Sequence, residues 1–355
     1  MNAASGESSP RAHLDALTGI RGLAAWLVVF YHIRYSLRDL VPGSIIEGLA
    51  KGYLAVDLFF MLSGFVLWYN YGARLRAGGA GAWLAFYQRR LARIWPLHVA
   101  ILAAFVAFAL LLLTTGRPAP DMPFAQLPLH VFLLQNWGFT DALAWNDPSW
   151  SISTEFAAYL VFPLVAVMAP WDRLRLPVLG VLGALLLTAL WGLFAVAGAS
   201  GLGHDISHLG LGRCLLEFWL GNCACLIWQR LPRHGRAPVG CAAGAALIMI
   251  AGWTLDAPEA LFVPAALLFA LLGLALGKGV VVKSLSAVRV RRTSFRGFDP
   301  ALPWPGKACP TPDQRVSPPH ATGAHVRCGV KRTRPDPWFS TNLLLGLNLS
   351  CFLPF

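Results

Sequence analysis

The chain has 355 residues, 56% of them hydrophobic and only 13% charged, with a mean hydropathy of +0.57. That balance excludes an ordinary soluble domain and specifies a multi-spanning membrane protein. The net charge of +12 and pI near 9.8 do not mark a nucleic-acid binder, because the basic residues stand in short loops between apolar runs and not on one polar face.

In chain order, runs long enough to cross a bilayer, about 17 to 25 residues each, lie at 17–35, 52–71, 94–113, 149–169, 178–198, 212–228, 238–254 and 261–277. The first lacks a short apolar core followed by a small-residue cleavage site, so it reads as a retained span and not a signal peptide. The piece LHVFLLQNWGF at 129–139 is too short to span and reads as re-entrant or interfacial. Lys and Arg concentrate on cytoplasmic loops; with the N-terminus inside, seventeen fall on that side and only Arg38, Lys51 and Arg117 outside. The expected fold is therefore an all-α, polytopic membrane protein of about eight transmembrane helices with a cytoplasmic N-terminus.

The first run, LDALTGIRGLAAWLVVFYHI at 14–33, carries Arg21 and His32. Ionisable groups inside a span cost roughly 2.5 to 3.5 kcal/mol each on insertion scales, so they are usually retained for a task. Eleven residues at about 100° each put both side chains on one helix face, roughly 16 Å apart along the axis. Snorkelling of each to its own membrane surface is the alternative role. The second run, GYLAVDLFFMLSGF, holds Asp57, which suits either direct chemistry or pairing with an arginine. Its Gly64 is read as permitting close helix packing.

Before the third run, QRRLARIWP places Arg90 and Arg93 at i and i+3, on one face at the inner membrane surface. Two adjacent guanidiniums make a phosphate receptor, and positive-inside anchoring is the plainer alternative. The fourth run opens NDPSWSISTEF, where Ser149, Ser151 and Ser153 with Glu155 form a polar mouth at the outer end; capping of the helix by Ser153, Thr154 and the other small hydroxyls is the plainer alternative. Glu155 there needs a cavity or a partner. These residues suggest two clusters, with Arg21, Arg90 and Arg93 towards the cytoplasm and His32, Asp57 and Glu155 in the outer half. Such an arrangement suits a polyanionic donor bound from inside and base-assisted chemistry further out.

Seven cysteines without a C-x-x-C pair argue for inert thiols and against zinc, and no metal is expected. From Gly297 onward the last 59 residues hold ten prolines and no convincing span, which opposes helix and packed core alike.

These stretches resemble the membrane-bound acyltransferase 3 family, which includes carbohydrate O-acetyltransferases. The family's pattern of a basic residue, ten residues and a histidine is met by Arg21 and His32, and its R-x-x-R by Arg90 and Arg93. LDALTGIRGLAA, VDLFFMLSGF and NDPSWSISTEF resemble its characteristic blocks, with Asp57 and Glu155 at the acidic positions. The resemblance implies transfer of an acyl group, from acetyl-CoA or another acyl-CoA, to a hydroxyl of a carbohydrate or glycolipid acceptor in a bacterial inner membrane. It implies no tightly bound cofactor and no nucleic-acid partner.

His32, supported by Glu155 or Asp57, is the expected base, with acyl-histidine formation the competing mechanism. Arg21, Arg90 and Arg93 are expected to hold the CoA phosphates. The chain thus divides into a tail at 1–13, a membrane domain at 14–285 and a basic, then proline-rich, tail at 286–355, expected to be disordered. The family usually has about ten spans, so a truncation or frame disruption making that tail non-native is held as a hypothesis. The other readings are an inactive remnant, and a carrier for a lipid-linked glycan or small anion.

Overall fold

A computed structural model describes residues 10–231 and 235–277, with side chains from residue 16. Among the described residues the chain is all helical, as expected of backbone that must satisfy its own hydrogen bonds in lipid. The helices are α1 (Pro10–Ile33), α2 (Gly43–Ala50), α3 (Ala55–Thr114), α4 (Leu127–Val131), α5 (Trp150–Met168), α6 (Leu176–Val196), α7 (Ile206–Arg230), α8 (Ala237–Thr254) and α9 (Glu259–Leu276), linked in places by single 3-10 turns. Seven helical segments are long and apolar enough to cross a membrane, and the one containing α3 is long enough to cross twice.

Gly79 is the reason. It breaks α3 at φ +55°, ψ −156°, a conformation that a residue without Cβ adopts readily. The chain reverses there: the rings of Tyr71 and Phe86 lie 5.2 Å apart, where a straight helix would separate them by about 22 Å. Each of the eight apolar runs thus falls on a helix. The second arm starts right after Gly79, well before the run at 94, because its first turns are amphipathic and escape a hydropathy window.

The central element is α7, which contacts α3, α5, α6 and α9, whereas α8 packs chiefly on α9. Glycines make the closest contact possible. A Cβ on Gly64 would stand 1.9 Å from the Phe218 carbonyl oxygen, and one on Gly221 2.0 Å from that of Met61, so α3 and α7 meet backbone to backbone. Aromatic packing of Phe60, Phe65, Trp68, Phe162, Phe218 and Trp228 fills the core around this crossing. Cys214 and Cys225 are buried in it as free thiols, and Cys223 is a third buried thiol on α7.

The short run at 129–139 does not span. It forms the one-turn α4 and then an irregular segment that enters the bundle, with Leu133 at φ 59° and His130, Gln135 and Asn136 buried. Non-helical backbone is tolerated at such depth only when protein partners serve it. Ser153 Oγ donates to Leu133 O at 2.8 Å, Trp137 Nε1 to Ser153 O at 3.1 Å, Gln135 Nε2 to Ser149 O at 3.3 Å and Asn136 Nδ2 to Ile206 O at 3.0 Å. The capping alternative is not the one these serines take: Ser149 makes no side-chain cap, and Ser153 clamps this segment. The tail at 286–355, with Cys309, Cys328 and Cys351, lies outside the described residues, as do Arg11's side chain, Arg233 and the basic residues from Lys278 onward.

Candidate functional site

The structure gives His32, Asp57 and Glu155 separate neighbours instead of gathering them into one cluster. Asp57 is fully buried and held in a two-pronged ion pair by Arg213 of α7, Nε to Oδ1 at 2.7 Å and Nη2 to Oδ2 at 2.8 Å. Arg213, itself 1% exposed, also donates from Nη1 to Leu202 O at 2.8 Å. The arginine that the sequence left open as a partner for Asp57 is therefore Arg213. One turn further along α7, Glu217 is buried and faces this pair, and among the described residues its carboxyl oxygens accept no hydrogen bond.

Glu155 instead accepts from the Ser63 hydroxyl and joins Tyr159 in a group with Arg21, Arg93 and Arg90. The three basic residues expected to act together are thus brought together, around one carboxylate. Arg90 and Arg93 stand about 16 and 21 Å along the arm from Gly79 by helix rise. Arg90 is buried, with Nη2 donating to the Tyr71 hydroxyl at 3.3 Å. The hairpin thus extends beyond both arginines, and Arg90 packs into the bundle.

His32 stands apart, at the other end of α1. Its Nδ1 is 2.7 Å from Val28 O; a carbonyl only accepts, so Nδ1 carries the proton and Nε2 offers a lone pair. The ring lines a cavity of about 260 Å³ whose wall includes Tyr31, Arg34, Tyr53, Asp147, Trp150 and Arg213. Asp147 is the carboxylate whose charge reaches His32. A base with an open nitrogen, a nearby anion to stabilise its protonated form and an aromatic-walled cavity can together deprotonate a bound hydroxyl.

A family model described as an acyltransferase domain, Acyl_transf_3, matches residues 14–288. The chain belongs to the acyltransferase 3 family. This acyltransferase-family chain is 34% identical over 178 residues to "Acyltransferase MdmB" of Streptomyces mycarofaciens, a stretch covering 46% of this chain and 41% of that protein. It is 35% identical over 168 residues to "Protein 2 in picA locus" of Rhizobium radiobacter, 43% of this chain and 83% of that one. To "Peptidoglycan O-acetyltransferase OatA" of Listeria monocytogenes it is 24% identical over 196 residues, 51% and 29% of the two chains. The match thus spans less than half the length of the first of these relatives and under a third of the last. No solved structure matches.

Arg213, Glu217 and Asp147 are not among the site residues expected from sequence. The first two carried the same signal as Arg21, an ionisable group inside an apolar run. Among the described residues no three His, Cys, Asp or Glu side chains lie close enough to hold a metal ion.

In this family member Asp147 also borders a second, much smaller cavity of about 10 Å³, with Gln135, Asn146 and His130 in its wall. His130 is 2% exposed, and burial with His98 alongside pushes its imidazole down to about 4. A folded-state value below the unfolded one, about 6.5, favours the fold above pH 6.5 and loses that contribution as the pH falls towards 4. Between pH 7 and 4.5 the protein is expected to lose about 2 to 3 kcal/mol through this residue. Urea unfolding of the wild type and of His130→Gln at both pH values checks it: equal losses in the two proteins would show that His130 does not titrate this way.

Proposed function

We propose that the protein transfers an acyl group, acetyl in the simplest case, from acyl-CoA to a hydroxyl of a carbohydrate or glycolipid acceptor seated in the His32 cavity. The observation that carries the reading is His32 itself, its Nδ1 proton fixed on Val28 O and its side chain in the wall of a cavity shared with Asp147. Nε2 takes the acceptor's hydroxyl proton as the oxygen bonds to the thioester carbon. The C–S bond then breaks, and the proton passes from the imidazolium to the leaving thiolate. Asp147 stabilises the imidazolium in between. The aromatic rings of Tyr31, Tyr53 and Trp150 offer apolar faces for a sugar ring.

Arg90 and Arg93, with Arg21, are assigned to the donor's phosphates, a role supported by their i, i+3 spacing and by their grouping in the bundle. The bias of seventeen basic residues against three supports a cytoplasmic N-terminus, and the bacterial relatives support a bacterial inner membrane. That orientation puts the arginine group on the side of the cytoplasmic donor and His32 towards the outside.

The test is acyl-CoA turnover by the full chain in nanodiscs. With Arg90→Ala/Arg93→Ala, donor binding is expected to weaken about 10- to 100-fold, the cost of one or two charge-assisted hydrogen bonds. Unchanged donor affinity in a folded double variant would remove the phosphate assignment.

A further inference from the structure

The mouth of the His32 cavity carries a positive charge that the acyl-transfer chemistry does not use. Directly after α1, Arg34 lies with its guanidinium 4.1 Å from the centre of the Tyr31 ring and 4.2 Å from that of Tyr35. Its Nη2 donates to the Tyr35 hydroxyl at 3.0 Å and its Nη1 to the Tyr31 carbonyl. Arg38 lies 5.5 Å over the same Tyr35 ring. Two of the five N–H donors of Arg34 are thus committed, leaving about three for a ligand.

Among the described residues neither arginine forms an ion pair, whereas Lys51, Arg76 and Arg213 are paired with Glu259, Asp172 and Asp57. Arg34 is half-buried and lines the cavity beside His32. The charged groups around that space are His32, Arg34, Asp147 and Arg213. Of these, Arg213 is neutralised by Asp57, and Asp147 acts on His32. Arg34 is therefore the guanidinium of this wall that has no carboxylate partner among the described residues, and Asp147, beside a His32 that is neutral at rest, is the anion from which a bound carboxylate or phosphate must stand apart.

Topology gives these arginines no task. In the proposed orientation they lie outside, the side on which the positive-inside bias depletes arginine. Stacking on tyrosine holds the planar fork in place before a ligand arrives, which lowers the ordering cost of binding. A fixed guanidinium fork matches the two oxygens of a carboxylate or phosphate.

We propose that the acceptor is an anionic saccharide, its carboxylate or phosphate held by Arg34 with Arg38 behind it while the reacting hydroxyl reaches His32. The proposal rests on the acyltransferase reading above and narrows its acceptor.

Binding is measured without acyl-CoA on the full chain in a phosphate-free, sugar-free polyoxyethylene detergent at low salt. The probes are methyl glucuronide, glucose 6-phosphate, neutral methyl glucoside and cationic methyl glucosaminide. At least one anionic sugar is expected to bind about tenfold or more tightly than methyl glucoside, as a charge-assisted contact gives. Arg34→Gln should abolish that preference, and Arg34→Lys, which keeps charge without the fork, should restore part of it.

Equal binding of neutral and anionic sugars, preference for the cationic sugar, or a preference that survives Arg34→Gln would overturn the proposal. So would phosphatidylglycerol displacing the anionic sugar at the sugar's own concentration, which would make Arg34 a headgroup anchor only. The wild-type comparison stands even where a variant fails to fold. Anionic preference without acyl transfer to any sugar would instead sink the transferase reading. Transfer to neutral and anionic sugars alike would leave that reading standing and remove this one.

Discussion

His32→Ala is expected to lower acyl transfer by about 10²- to 10⁴-fold, the range that a positioned acid–base group supplies, while the protein stays folded. The imidazole makes one hydrogen bond, to the Val28 carbonyl, so its loss costs about 1 kcal/mol of stability. A loss of turnover therefore reports chemistry and not unfolding. Donor affinity is expected to persist, because Arg21 lies roughly 16 Å away along α1. Asp147→Asn removes the charge that stabilises imidazolium and is expected to give a smaller fall, in turnover and not in donor binding. Incubation with labelled acyl-CoA in the absence of acceptor separates the two mechanisms open to a histidine. A covalent label that vanishes in His32→Ala identifies an acyl-histidine, and no label leaves the base mechanism. Full turnover by His32→Ala would remove His32 from the site altogether.

Much of this fold is legible in the sequence because a bilayer demands about 20 apolar residues per helix, and the eight runs stand out against short basic loops. What escapes is what polar residues do once helices pack. The hairpin at Gly79 extends the second arm of α3 ahead of its apolar run, and it is this arm's packing, not its hydropathy, that buries Arg90. Asp57, His32 and Glu155 were conspicuous as ions in greasy surroundings, but conspicuousness carries no information about pairing. The partner of Asp57 is 156 residues away, and only the α3–α7 crossing at Gly64 and Gly221 brings the two together. Asp147 had no apolar background to stand out against; it became visible only as part of the wall that also holds His32. Arg213 and Glu217, by contrast, sit within the run 212–228, where the rule applied to Arg21 applies equally.

Asp57→Ala is expected to cost the bundle about 3 to 5 kcal/mol, the usual penalty for removing one member of a buried ion pair. Arg213 would keep only its bond to Leu202 O, leaving a guanidinium with 1% exposure short of a counter-charge. Glu217, buried and facing the same pair, is the nearest substitute, so Asp57→Ala in a Glu217→Gln background should lose more than Asp57→Ala alone. Asp57→Leu/Arg213→Met removes both charges and, because apolar replacements of buried pairs are often neutral or stabilising, is expected to recover most of the loss. Activity need not return with it, since Arg213 also lines the His32 cavity. Detergent-solubilised protein titrated with urea reads the three variants against the wild type. An Asp57→Ala protein as stable as the wild type would mean that this pair contributes nothing to the fold. Recovery of stability in the double variant without recovery of turnover would give Arg213 a second task at the cavity wall.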